Sequence, residues 1–291
     1  MTTHLRRAIP LLLAAVALSN MSSTHAQDTR ALAVNPPLGA AAPFAVLASS
    51  TVTNTGGTNV TGDVGVSPGA AIVGFPPGII TGTMHAANAT SLSAQNSITT
   101  AYNMLAVQPC DQNLTGQNLG GLTLTPGVYC FNTSAQLTGT LTLNGLGNPG
   151  SVWVFQTGST LTTASGANVN FTNGGQACGV HWQIGSSATI GSGTSFRGNI
   201  FAQASITMNT GANNQGSLYA RTAAVTLDTN AVAVVGSCGF GPPPPPPTPL
   251  PTPVPPGPPG PVPPVPSLPD LAAGALFALL LVTGTVLLGR R

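Results

Sequence analysis

Five aspartates, seven arginines and four histidines are the whole ionisable inventory of this 291-residue chain apart from its cysteines, tyrosines and termini; lysine and glutamate are absent. The terminal segments take His4, Arg6, Arg7, His25, Asp28, Arg30, Asp270, Arg290 and Arg291. The body keeps Asp63, Asp111, Asp228, Arg197, Arg221, His85 and His181. Glycoside chemistry normally needs two carboxylates close together. Asp63 lies in GDVG, which reads as a turn, and Asp228 replaces Thr162 and Asn209 of neighbouring repeats, which points it outward. No nucleophile with its base is written anywhere in the body. Two histidines far apart do not make a metal site. The residues therefore argue against an enzyme and call for no metal or cofactor. A chain this poor in arginine and lysine also lacks the basic patch that nucleic acid requires.

The abundant chemistry is hydroxyl chemistry, and it is periodic. GSTLTTASG (158–166), SATIGSGTS (187–195), SITMNTGAN (205–213) and AVTLDTNAV (224–232) align without gaps. One column holds Thr160, Thr189, Thr207 and Thr226, at separations of 29, 18 and 19 residues. The next is apolar, with Leu161, Ile190, Met208 and Leu227, and two positions on come Thr163, Ser192, Thr210 and Thr229. A second block precedes each segment: SVWVFQ (151–156), GVHWQI (179–184), RGNIFA (197–202) and GSLYAR (216–221). It alternates in period two and places Val154, Trp182, Ile200 and Leu218 in one apolar column. GVYCFN with AQLTGT (127–132, 135–140) and STVTNTG (50–56) fit more loosely. Short strands recurring at about twenty residues with turn residues between them indicate a solenoid. A single coil cannot bury its apolar face, so stacking closes the core. Apolar columns become interior stacks, and Thr columns become outward ladders at the strand spacing of about 4.7–4.9 Å.

One segment departs from this pattern. In residues 83–107, Ala87, Ser91, Ala94, Ile98, Ala101 and Leu105 fall on one face of a helix that Pro109 stops. Its stripe must be buried, and the side of the coil stack is the available apolar surface. Phe155, Phe201 and Tyr219, one step after the interior column, are expected to face it.

The ends read as addresses. Residues 1–26 have a basic start, an apolar run and a small-residue cleavage site, the pattern of a secretory signal peptide. Residues 27–41 form a linker, 42–240 the repeat domain and 241–266 a proline-rich spacer that stays extended. Residues 267–291 carry PSLPD, an apolar run over 271–288 and a terminal Arg290–Arg291. That run is long enough to anchor in a membrane. It also resembles C-terminal sorting signals, which implies a sorting protease as a partner. An even cysteine count in an exported chain argues for disulfides. Cys110, Cys130, Cys178 and Cys238 allow three pairings. Cys110–Cys130, tying the helix end to the next strand, and Cys178–Cys238, bracketing the last coils, is preferred.

FAVLASSTVTNTG (44–56), VTGDVGVSPG (60–69), GFPPGIITGTMHAAN (74–88), LTLTPGVYCF (122–131), STLTTASG (159–166) and AVTLDTN (224–230) together resemble the bacterial and fungal ice-binding protein family. GDVGVSPG is the most specific of these stretches. The resemblance implies a mainly β fold: a discontinuous right-handed β-helix with one long α-helix along its side. In such a fold the early coil comes first in sequence, then the helix, then the remaining coils, and one flat face meets ice. Ice offers neither charge nor pocket. Threonine suits it, since its stiff side chain carries one hydroxyl and one methyl, and a rigid array loses little entropy on adsorption. The candidate ice-facing residues are Thr160, Thr162, Thr163, Thr189, Ser192, Thr194, Thr207, Asn209, Thr210, Asn213, Thr226 and Thr229. Partners are then an ice crystal surface and, through the C-terminal helix, a membrane; the domain is expected to be a monomer. Outward Thr stacks also stabilise sheets by themselves, so a surface adhesin or matrix protein that binds glycans is the alternative.

Overall fold

The computed structural model of the chain describes residues 33–236 and 238. The leader, the proline-rich spacer and the C-terminal apolar run all lie outside these residues. No helix among the described residues is long and apolar enough to cross a membrane.

Strands succeed one another in threes. Phe44–Ala48, Thr51–Thr55 and Asn59–Thr61 each enter a different sheet, and Asp63–Val66 then returns to the first sheet beside Phe44–Ala48. The chain keeps this rotation through Ala231–Ala233 except over residues 84–124, where Met84–Ala86 and Gln112–Asn113 both belong to the first sheet and an isolated Asn118–Gln136 bridge stands for the second before Thr123–Leu124 joins the third; all the strand pairings are parallel. Parallel neighbours need a crossover, and here the crossover is the pair of strands in the other two sheets. The stacking order is not the chain order. The last coil, Leu218–Ala220, Val225–Asp228 and Ala231–Ala233, pairs with the early strands Phe44–Ala48, Thr51–Thr55 and Asn59–Thr61. A seam between residues more than 170 apart therefore crosses all three sheets, as the pairs Val46–Leu218, Thr53–Thr226 and Val60–Val232 show.

The interior is a set of apolar columns. Tyr129, Phe155, Trp182, Ile200 and Leu218 share one register in the first sheet, with Phe155 and Trp182 stacked at 4.0 Å. Val154 does not belong to this column, contrary to the repeat alignment. It pairs with His181 and faces outward, and Phe155 takes the interior place. The cause is visible in the burial: both faces of this strand are shut off from solvent, so period two carries no contrast.

The cover on the outer face of the first sheet is the helix Ala89–Ala106. It starts later than its apolar spacing suggests. Residues 84–86 are an edge strand of the first sheet, Ala87 is exposed at a φ of +49°, and Asn88 caps the helix by accepting from the Ser91 amide at 2.9 Å. Ser91, Ala94, Ile98, Ala101 and Leu105 are buried, joined by Gln95 and Tyr102. They pack on Phe44, Leu47, Val128, Val154, Phe201 and Tyr219. Phe201 and Tyr219 thus face the helix as expected, while Phe155 faces the interior. Gln156 ties down the helix end, donating from Nε2 to the Leu105 carbonyl at 2.7 Å and to the Gln108 carbonyl at 2.8 Å. The disulfides are Cys110–Cys130 and Cys178–Cys238, the preferred pairing.

Candidate functional site

With the first sheet covered by the helix, the second presents its outer face to solvent. Its strands stack as Ala135–Leu137, Leu161–Thr163, Ala188–Ile190, Ile206–Met208, Val225–Asp228, Thr51–Thr55 and Ala71–Val73. Each places an apolar residue inward, then a residue outward that is short on every strand but the first, where it is Gln136. The outward register runs Gln136, Thr162, Thr189, Thr207, Thr226, Thr53 and Val73. Five threonines therefore stand side by side on consecutive strands, and Thr53 comes from across the seam.

Columns of small polar residues flank this ladder. On one side Thr160 donates to the Ser134 hydroxyl at 2.9 Å, and Ser205 to that of Ser187 at 3.0 Å. On the other lie Asn209, Asp228 and Thr55, the last two directly paired. Among the described residues, Asp228 is the only ionisable side chain on this face.

The twelve candidate residues divide five ways. Thr162, Thr189, Thr207 and Thr226 form the ladder, and Thr160 and Asn209 lie in its flanking columns. Thr160 was aligned with Thr189, but the strands pair Thr162 with Thr189. The run Thr160-Leu161-Thr162-Thr163 permits either register, and the interior decides: Leu161 pairs with Ala188 inside the core. That shift of two carries Thr163 from the turn beside Ser192 to the inward strand position that follows Thr162. Thr163 and Thr194 are only 4% and 0% exposed, so neither can touch a surface ligand. Their hydroxyls lie 3.2 Å apart, Thr163 accepts from the Gly191 amide at 2.9 Å, and Thr194 donates to the Ala164 carbonyl at 3.0 Å. Buried hydroxyls need such partners, and these clasp two coils from within. Ser192, Thr210 and Thr229 are exposed in the turns between the second and third sheets, and Asn213 is exposed on the third, between Ser195 and Ala231.

Thr51, Thr53, Thr55, Ser134, Ser187 and Ser205 were missing from the candidates. The alternation of TVTNT was readable; its place beside residues 225–228 was not, because nothing local encodes a seam.

At the turns, Gly166, Gly193 and Gly211 adopt φ of +69°, +64° and +73°. The equivalent position of the last coil is Thr229, at φ +54°. Its hydroxyl donates to Asp228 Oδ1 at 3.1 Å, and that of Thr210 donates to Oδ2. The Thr210 bond foremost, opposed by desolvation and aided by the Thr229 bond, holds the Asp228 carboxyl below its ordinary range.

The other ionisable groups do not converge. Asp63 begins a strand of the first sheet rather than a turn, accepts from the Thr83 amide at 2.8 Å and lies 3.4 Å from His85. Asp111, at the opposite end of that sheet, accepts from the Val128 amide at 2.7 Å. No cluster of three His, Cys, Asp or Glu residues occurs among the described residues.

The Ice-binding-like family model matches residues 46–233. This chain belongs to that family. The chain is 49% identical over 230 residues to an ice-binding protein of Nostoc sp. (strain HG1), covering 79% of this chain and 83% of that protein. It is 38% identical to ice-binding protein 1 of Shewanella frigidimarina (strain NCIMB 400), over 68% of this chain but only 26% of that longer protein. The crystal structure of an ice-binding protein from an Antarctic biological consortium superposes with a TM-score of 0.68 at 45% identity, covering 70% of this chain and 92% of that one. The family's name thus meets, in this member, a face of in-register threonines.

Proposed function

We propose that this protein adsorbs to ice through the outer face of its second sheet, with Thr162, Thr189, Thr207, Thr226 and Thr53 at the centre of contact. The carrying observation is the register: five threonines on consecutive strands, continuous across the seam. Each is branched at Cβ and held by its strand, so little side-chain freedom is lost on contact. The hydroxyls can bond to ordered water while the methyls exclude disordered water. Long mobile side chains are nearly absent from this face, and no aromatic side chain stands in its columns to platform a sugar, which favours ice over a glycan.

The finer features belong to the same proposal. Three parallel sheets visited in rotation make a β-solenoid, and the strong bias of parallel crossovers makes it right-handed. The chain is exported by residues 1–26 and works as a non-enzymatic monomer. Residues 241–266 space it from a C-terminal anchor or sorting segment, which holds it at the cell surface until processing.

The test is the shape of an ice crystal grown in purified protein, with recrystallisation inhibition beside it. Faceted crystals are expected. Unshaped discs with ordinary grain growth would remove ice as the ligand.

A further inference from the structure

Asp228 sits where a face built for a neutral lattice should least tolerate charge. Two hydroxyls explain how it is accommodated. Thr210 donates from the preceding coil and Thr229 from its own, while the Thr55 hydroxyl across the seam donates to the neighbouring Leu227 carbonyl at 3.4 Å. The Asp228 amide is also engaged, donating to Asn230 Oδ1 at 2.6 Å. Asn230 continues the tie: its Nδ2 donates to the Asn209 and Ala212 carbonyls at 2.9 and 2.8 Å, and its amide to Thr58 Oγ1 at 3.0 Å. A second observation points to the same place. Thr229 holds the left-handed conformation that glycine takes at Gly166, Gly193 and Gly211. A β-branched residue is disfavoured there, and such a conformation persists where surroundings enforce it.

We propose that Asp228 is a positioning residue: its carboxylate clamps the hydroxyls of Thr210 and Thr229 across two adjacent coils, and so fixes the ice-facing edge of the second sheet beside the seam. The inference rests on the adsorption reading above. With their protons turned to the carboxylate, these hydroxyls offer only lone pairs outward, and the charge is spent on the protein rather than on the lattice. Protonation would remove acceptor strength from both bonds together. The neighbouring strands Thr51–Thr55 and Ile206–Met208, and turns 56–58 and 209–212, carry no ionisable side chain. Arg221, ahead of the same strand, donates to Gln203 and lies over the Tyr102 ring, 4.2 Å from its centroid.

Two measurements test the clamp, one without ice. Methyl NMR of Thr210 and Thr229 is followed through acid titration in the intact protein and in Asp228→Asn. Both signals should move together with one midpoint, below that of an ordinary aspartate, and the movement should vanish in the variant. Thermal hysteresis is then measured over the same range, where circular dichroism shows the fold intact. Wild-type activity should fall severalfold through that midpoint, whereas Asp228→Asn should be low at every pH. Asp63, Asp111, His85 and His181 remain in the variant, so their contribution subtracts out. Thr229→Gly, which relieves the backbone but deletes one donor, should also lose activity. Methyl signals that ignore the titration, or Asp228→Asn with wild-type activity and profile, would overturn the proposal. A wild type that never shapes ice would sink the adsorption reading instead, and the methyl titration would still decide the clamp.

Discussion

Thr207→Tyr is the sharpest probe of the ice-facing surface, because Thr207 occupies the middle of its ladder. Gln136, Thr162 and Thr189 lie on one side of it, and Thr226, Thr53 and Val73 on the other. Strands about 4.8 Å apart make this face roughly 29 Å long, with about 14 Å on either side of the centre. A phenol ring there props a rigid plane away from the surface. The protein can then seat only one half at a time. Five ladder methyls shielded from water contribute at most about 0.8 kcal/mol each. Losing half of them costs about 2 kcal/mol, a roughly thirtyfold fall in the adsorption constant. Gln136→Tyr, at the end of the ladder, leaves the remaining strands able to seat and should cost far less. Thr140→Tyr, exposed on the third sheet, should cost nothing. The assay is adsorption of fluorescently labelled protein to a growing ice hemisphere, with thermal denaturation to show that each variant is folded. A loss of the same size at all three positions would refute the reasoning, as would an unimpaired Thr207→Tyr.

Two further predictions concern the scaffold. Cys178–Cys238 spans 60 residues and Cys110–Cys130 spans 20; in the chain-entropy account, replacing each pair by serine should cost about 4 and about 3 kcal/mol respectively. Denaturant unfolding should rank them in that order, and equal losses would show that loop closure does not set their contribution. His181 is 2% exposed, meets Asn35 Oδ1 at 2.7 Å through Nε2, and has its pKa pushed by burial from 6.5 down to about 3. Its neutral form is the folded form, so stability is complete above about pH 6.5 and falls by about 1.4 kcal/mol per unit as the unfolded chain alone takes up the proton. His181→Gln should flatten that slope in melts between pH 6 and 4, and an unchanged slope would clear His181 of the effect.

What the residues disclosed, and what they hid, follows from how much contrast each environment supplies. Thr189, Thr207 and Thr226 were legible because their strands are apolar on one side and wet on the other, which preserves period two. In the first sheet the helix buries the second face as well, so Val154 and Phe155 look alike and their assignment slipped by one. Thr163 misled for a related reason. A hydroxyl reads as a surface group, yet Thr163 and Thr194 satisfy one another inside a corner, at a place where neighbouring coils use Ile190 or Met208. Asp228 was readable as outward but not as a clamp, since one of its two hydroxyl donors, Thr210, lies on another coil. The seam is the deepest case. Thr53 follows the same alternation as Thr226, so each residue's face could be inferred from its own neighbours. Their adjacency could not, because it arises only when the last coil finds the first as its stacking partner. A surface that must be flat over seven strands is therefore specified locally on every strand and completed by one contact that no local pattern contains.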